Sequence, residues 1–276
     1  MIAEEEGKAA AEEFRRRHRL GHQPLGDLVA LIEQTTDIDV AVLDVARDEH
    51  GMAMRDPERD RVFLAVARTP HPMRQRSSLA HELAHVLFGD WNDLNEDEWA
   101  RRDRDEIRAD TFARHLLAPE EGLKDVLAGR PSVDLADLSA VVQRFLVSPA
   151  MASIALHQAG LIDGERKADW MSVSTPALAA RFGWTDQYRA LADEANRTRA
   201  PQRLLARAVQ GYLEHVVSLR ALARLRGVTE ESLQADLLEA GLVPPAPEVR
   251  WAAPRDIPQV EFDLSGLEED AGDPPE

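Results

Sequence analysis

The chain has no cysteine, only three lysines, few aromatic residues and no apolar run long enough to span a membrane in its 276 residues. Without cysteine there is no disulfide, no thiolate metal site and no cysteine nucleophile. Lys8, Lys124 and Lys167 are the only lysines, so nearly all positive charge is arginine. A net charge of −17 excludes non-specific nucleic-acid binding by the molecule as a whole, while leaving local basic patches open. The first twenty residues lack the apolar core of a signal peptide. With Glu4, Glu5, Glu6, Glu12 and Glu13 followed by Arg15, Arg16 and Arg17, they read as a solvated helix. The cytoplasm is therefore the expected compartment. A hydrophobic content of 44% is enough for a substantial core in one large or two modest domains.

The most informative stretch is Ser77 to Phe88, which contains His81-Glu82-Leu83-Ala84-His85. On a helix, residues i and i+4 lie about 40° apart, so both imidazoles address one point. Two neutral imidazoles at that spacing suit a zinc ion, and Glu82 sits beside them to take a proton from an attacking water. Leu79, Leu83, Val86 and Leu87 fall on one face of this helix, and His81, Glu82, His85 and Gly89 fall on the other. Ser77 or Ser78 is its expected N-cap.

Upstream, Gln23-Pro24-Leu25 opens a short helix with Leu28, Val29, Leu31 and Ile32 as its apolar positions. Ile38 to Val45 reads as a strand, and Met52–Met54 with Arg61–Ala67 as a hairpin around a polar turn. A small antiparallel sheet is thus expected ahead of the histidine-bearing helix. The polar run Asp90 to Asp103 reads as a loop or an irregular helix, and Arg104 to Leu117, closed by Pro119, as a regular one. On that helix Glu106, Ala109, Asp110, Ala113, Leu116 and Leu117 share a broad face, opposite Arg108, Thr111 and His115. Glu106 and Asp110 stand at i and i+4, so one carboxylate can bind a metal while the other supports a ligand histidine. His115 reads as a surface histidine. A metzincin is excluded, because its glycine and third histidine would fall at Phe88 and Trp91.

His81-Glu82-x-x-His85, followed by Glu106-Ile107-Arg108-Ala109-Asp110-Thr111-Phe112-Ala113-Arg114-His115-Leu116-Leu117-Ala118-Pro119, resembles the ImmA/IrrE family of metallo-endopeptidases. Val147-Ser148 through Gly160-Leu161-Ile162 resembles that family's small helical module, and the likeness extends over residues 24–163. It implies a zincin-like core with Zn2+ held by His81, His85 and Glu106, leaving Asp110 as the supporting carboxylate and Glu82 as general base. It also implies a substrate that is a helix-turn-helix transcriptional repressor or an antitoxin-like relative.

The fold class expected is α+β and mostly helical, with the small sheet in the peptidase core and helix-turn-helix-like modules after it. The divisions expected are a core over 1–128, a helical module over 129–163, a helical region over 164–243, and an acidic, proline-rich tail over 244–276 that composition marks as disordered. In the helix-turn-helix-like pair Asp134–Phe145 and Ser148–Ala159, the second helix carries no arginine or lysine, which favours packing or docking over DNA reading. A later echo, Val228-Thr229 and Ala240-Gly241-Leu242-Val243, repeats the register. From Arg197 to Arg226 seven arginines face one acid, Glu214. This strip is either the solvated face of a helix or a docking surface for an acidic protein, the chain's own tail or nucleic acid. Val62–Ala67 is the strand expected to hold substrate by edge pairing. Tyr188, Tyr212, His157 and His215 are the candidates for stabilising an oxyanion. Two rival functions remain, a non-cleaving anti-repressor and a DNA-binding regulator.

Overall fold

In the computed structural model the residues described are 2–45, 51–59, 61–91 and 99–246, with the backbone alone over 99–103. Of the run Asp90–Asp103, expected as a loop or an irregular helix, residues 92–98 lie outside them, as does the tail beyond 246, while 99–103 already form regular helix, so that helix starts at Trp99 rather than at Arg104. The architecture is α+β and mostly helical.

The first helix, α1 (Ala3–Arg17), is not the solvated rod that its charge suggested. Gly7, Ala11, Phe14 and Arg15 are buried, and α1 lies along α4 (Trp99–Leu117). Glu4, Glu5, Glu12, Arg16 and Arg17 occupy the outer face, which is why composition alone misread it. Arg15 is the anchor. Its Nε and one terminal nitrogen donate to the Leu116 carbonyl at 2.8 and 2.6 Å, and the other terminal nitrogen donates to Gly21 and Gln23 at 2.7 and 3.1 Å. Leu116 is in the last turn of α4, where the carbonyls have no partner within the helix, so Arg15 caps α4 from another element. Burial lowers its pKa to about 10, well short of neutralising it.

Helix α2 (Leu28–Thr35) begins three residues later than Pro24-Leu25 suggested, because the Asp27 side chain caps it by accepting from the Ala30 amide. The sheet comprises β1 (Ile38–Leu43), β2 (Gly51–Asp56) and β3 (Arg61–Ala67), in the order β1-β3-β2. The hairpin β2–β3 is antiparallel as expected, but β1 joins β3 in parallel, so the sheet is mixed rather than antiparallel. This ordering makes β3 the central strand, paired on both sides. Val62–Ala67 therefore cannot receive a substrate strand. The outer edge of β1 is occupied too, since Val42 and Arg199 exchange both backbone hydrogen bonds at 2.8 and 2.9 Å. Among the described residues the edge left open is that of β2.

Helix α3 (Pro72–Phe88) follows β3 directly. Its cap is neither Ser77 nor Ser78. His71 occupies the N-cap and Pro72 the first helical position, while the Ser77 hydroxyl bonds back to the Met73 carbonyl inside the helix. Met73, Leu79, Ala80, Leu83 and Ala84 are buried against the sheet and α4. Leu87 falls on the same stripe yet is 43% exposed, so the buried face ends one turn before the helix does.

Beyond α4 come α5 (Glu120–Val126), α6 (Leu135–Phe145), α7 (Pro149–Gln158), α8 (Gly164–Trp170), α9 (Thr175–Phe182) and α10 (Thr185–Ala195). Asp134 and Ser148 cap α6 and α7, and the two helices meet at 108°, a helix-turn-helix angle. Ala152, Ser153, Ala155 and Leu156 of α7 are buried, and the helix packs on α4, α5 and α8. Its position is that of a core helix. One buried cluster runs from Ala11 through this pair to Trp184. The last helices, α11 (Gln202–Leu213), α12 (Leu219–Arg226) and α13 (Glu230–Glu239), enclose a small core of their own around Leu222, Ala223, Leu233 and Leu237. Thr229 caps α13 as Ser148 caps α7, matching the echo in the sequence. This region is tied to β1 and α2 by the buried Glu33, whose Oε1 accepts from Val40 and Gln202 amides, and by the ion pairs Arg199–Asp27 and Arg203–Asp37. No single helix among the described residues is long and apolar enough to cross a membrane.

Two predictions follow from this packing. Arg15→Met strands the carbonyls of Leu116, Gly21 and Gln23, and should cost about 2–4 kcal/mol by chemical denaturation; an unchanged midpoint would refute the anchoring role. His115 is half-buried rather than a surface residue, and burial, aided by Arg114 and Lys8, lowers its pKa to about 4. The unfolded chain, with a pKa near 6.5, binds that proton first. Stability should fall as pH drops from about 6.5 to 4, by at most about 3 kcal/mol from this group, and be unaffected above 6.5. Denaturation of His115→Gln should show a correspondingly shallower loss over the same window.

Candidate metal centre

Helix α3 presents its polar stripe where α4 crosses it. His81 Nε2 lies 3.0 Å from His85 Nε2 and 3.1 Å from Glu106 Oε2, and His85 Nε2 lies 3.8 Å from Glu106 Oε1. The three residues thus offer one ligand atom each, all within 4.8 Å of one another. Ligands about 2.0–2.1 Å from a tetrahedral ion stand about 3.4 Å apart, so these separations are those of a metal-binding triangle.

The other ring nitrogens fix the chemistry of the donors. His81 Nδ1 is 2.8 Å from Asp110 Oδ1, and His85 Nδ1 is 3.2 Å from Asp90 Oδ2. With each Nδ1 donating to its carboxylate, the neutral tautomer leaves each Nε2 lone pair turned inward, the form a metal ligand takes. Two lone pairs 3.0 Å apart repel unless a cation lies between them. The donor set therefore fits a metal ion.

Asp110 takes the supporting place that the i,i+4 spacing left for one of two carboxylates. Asp90 is the residue that the sequence reading missed. Gly89, in the left-handed conformation at φ 72°, ends α3 and turns the chain back so that Asp90 reaches His85. Its second oxygen accepts from Arg108 at 2.6 Å, and Arg108 also contacts Asp105, Glu6 of α1 and the ring of Phe88. Arg108 and Thr111 do lie away from Asp110, but that side is not open: α1 covers it, and Thr111 is buried. The only sequence signal for Asp90 was an acid immediately after a helix-ending glycine.

The field within the cluster is strongly coupled. Burial alone would lower the His81 pKa, but the carboxylates of Asp110, Glu106 and Glu82 outweigh it and raise it. Its hydrogen bond with His81 lowers Asp110 against the effect of burial. Burial raises Glu82, opposed by the two imidazoles and reinforced by Glu106. Glu82 is thus a carboxyl with a strengthened hold on a proton, beside the three donors and beneath the first residue of β2, Gly51. A cavity of about 610 Å³, lined by Ala67, Arg68, His71, Gln75, Ser78 and Asn196 among others, continues along the same stripe of α3 one turn ahead of Glu82.

The remaining candidates are engaged elsewhere. His157 Nδ1 donates to the Ile162 carbonyl, His215 faces the Pro245 carbonyl, Tyr188 packs against Trp184, and Tyr212 packs on the small C-terminal core. Of the seven arginines between 197 and 226, four are paired within the fold: Arg199 with Asp27, Arg203 with Asp37, Arg220 with Glu230 and Arg226 with Asp236.

A His-x-x-x-His helix with an adjacent glutamate, completed by a carboxylate from a following helix, defines a metallopeptidase-type centre. Residues 34–157, a span that includes both helices of the centre, match the Peptidase_M78 family model, the IrrE N-terminal-like domain, whose members are metal-dependent peptidases. No curated protein matches the chain at a significant level.

Removing either carboxylate that holds a ring N–H should loosen the metal. Asp90→Ala and Asp110→Ala are each expected to weaken zinc binding by about 10–100-fold, measured by competition with a chromophoric chelator. Wild-type affinity in Asp90→Ala would show that the contact with His85 does not orient the ligand.

Proposed function

We propose that the protein is a zinc-dependent endopeptidase of the cytoplasm that cleaves a helix-turn-helix transcriptional repressor, or an antitoxin-like relative, and so derepresses genes. The observation that carries the reading is the convergence of His81 Nε2, His85 Nε2 and Glu106, with Glu82 beside them.

When bound, zinc would polarise the scissile carbonyl and lower the pKa of a water molecule. The protein's own residues do the rest. His81, His85 and Glu106 hold the ion, while Asp110 and Asp90 keep the imidazoles turned toward it. Glu82 takes the proton of the attacking water and delivers it to the leaving amine, a role that suits its raised pKa. The outer edge of β2, which no other described strand pairs, is the place for an extended peptide, since its first residue, Gly51, lies against Glu82.

The repressor as substrate rests on the family resemblance. The pairing of four of the seven strip arginines within the fold weighs against the DNA-binding alternative, as does the buried position of α7. Incubation of the purified protein and zinc with the helix-turn-helix repressor encoded nearest its gene should give a single cut. Glu82→Gln should still bind zinc but lower the cleavage rate by at least about 100-fold. Undiminished cutting by that variant would sink the assignment of the base. Release of an intact partner by both proteins would favour a non-cleaving anti-repressor.

A further inference from the structure

Gly51 opens β2 and faces Val66 across the hairpin. Its φ lies outside the left-handed range, so the backbone there is one that any residue can adopt. What excludes a side chain is space. A Cβ on Gly51 would lie 2.6 Å from Cγ of Glu82, 2.7 Å from Oε1 and 3.0 Å from Cδ. Non-bonded carbon and oxygen do not approach so closely, and no other atom stands within contact of that Cβ as near as these three. The charges of His81, His85 and Glu106 all act on the Glu82 carboxylate. On the side of β2 that carboxylate is bounded by the backbone of Gly51.

We infer that Gly51 is a positioning residue for Glu82: the bare backbone at the start of β2 leaves the one space in which the carboxylate stands beside the metal. The inference rests on the metallopeptidase reading given above. A methyl group at this position pushes against the end of a flexible side chain rather than against backbone, so the fold survives and the base moves. A displacement of less than 1 Å is enough to impair a proton acceptor by an order of magnitude or more.

The test needs no natural substrate. The full-length protein is loaded with Co2+, and binding of acetohydroxamate, a metal chelator whose acidic hydroxyl needs a carboxylate acceptor beside the ion, is followed by the cobalt absorption bands. Gly51→Ala should keep the melting temperature and the Co2+ affinity of the wild type, and bind acetohydroxamate about tenfold more weakly. In a Glu82→Ala background, where nothing remains to collide with, the same change should have less than about a twofold effect. Equal weakening in both backgrounds, or no weakening in the wild type, overturns the inference while the metal reading stands. So does loss of Co2+ affinity in Gly51→Ala. If Gly51→Ala does not fold, recovery of folding in the Gly51→Ala/Glu82→Ala pair supports the contact, and continued unfolding overturns it. A wild-type chain that binds no Co2+ overturns the metal reading and this inference with it.

Discussion

The structure depends on holding α4 across α3. His81 and His85 lie on one helix and need only helical geometry to converge, whereas Glu106 and Asp110 come from another element and arrive only if α4 is held in place. That placement is maintained from the far side. α1 packs along α4, Arg15 caps the terminal carbonyl of Leu116, and Arg104 and Arg108 reach Glu6. A carboxylate moved by one helical turn, about 5.4 Å, would leave two imidazoles facing each other with no third donor.

The ion pairs around the centre are worth more as orientation than as stability. Exposed pairs contribute little, but Arg108 and Asp90 are each largely withdrawn from solvent and share hydrogen bonds with Asp105 and His85. The result is a continuous path from α1 through Glu6, Arg108 and Asp90 to a metal-facing imidazole. The sheet contributes from the other direction. With β3 paired on both sides and the outer edge of β1 joined to Arg199, the one sheet edge left without a partner among the described residues and the glycine against Glu82 belong to the same strand.

Much of the candidate site was legible in the sequence because its rules are local. His-Glu-x-x-His specifies its own geometry once the segment is helical, and Glu106 with Asp110 repeats the i,i+4 logic. The hairpin, the C-terminal end of α4 at Leu117 and the helix pair around Ser148 were legible for the same reason. The errors fell where a distant partner decides. The charge of α1 concealed a buried face formed by Ala11 and Phe14, and His71-Pro72 opened α3 earlier than its serines suggested. β3 is flanked on both sides because β1 joins in parallel through a crossover, which residue pattern does not encode.

The sequence by itself determined the donor types, the helices that carry them, and the absence of any thiolate alternative. These follow from residue identity and from a helical period that any segment of this composition obeys. Only the tertiary structure decided which carboxylate meets which imidazole, that Asp90 and Arg108 support His85, that β3 is paired on both sides, and that Gly51 bounds Glu82. Each of those is a contact between residues distant in sequence or across a chain reversal. Its existence depends on how elements pack, and packing is set by the whole buried surface rather than by any one segment.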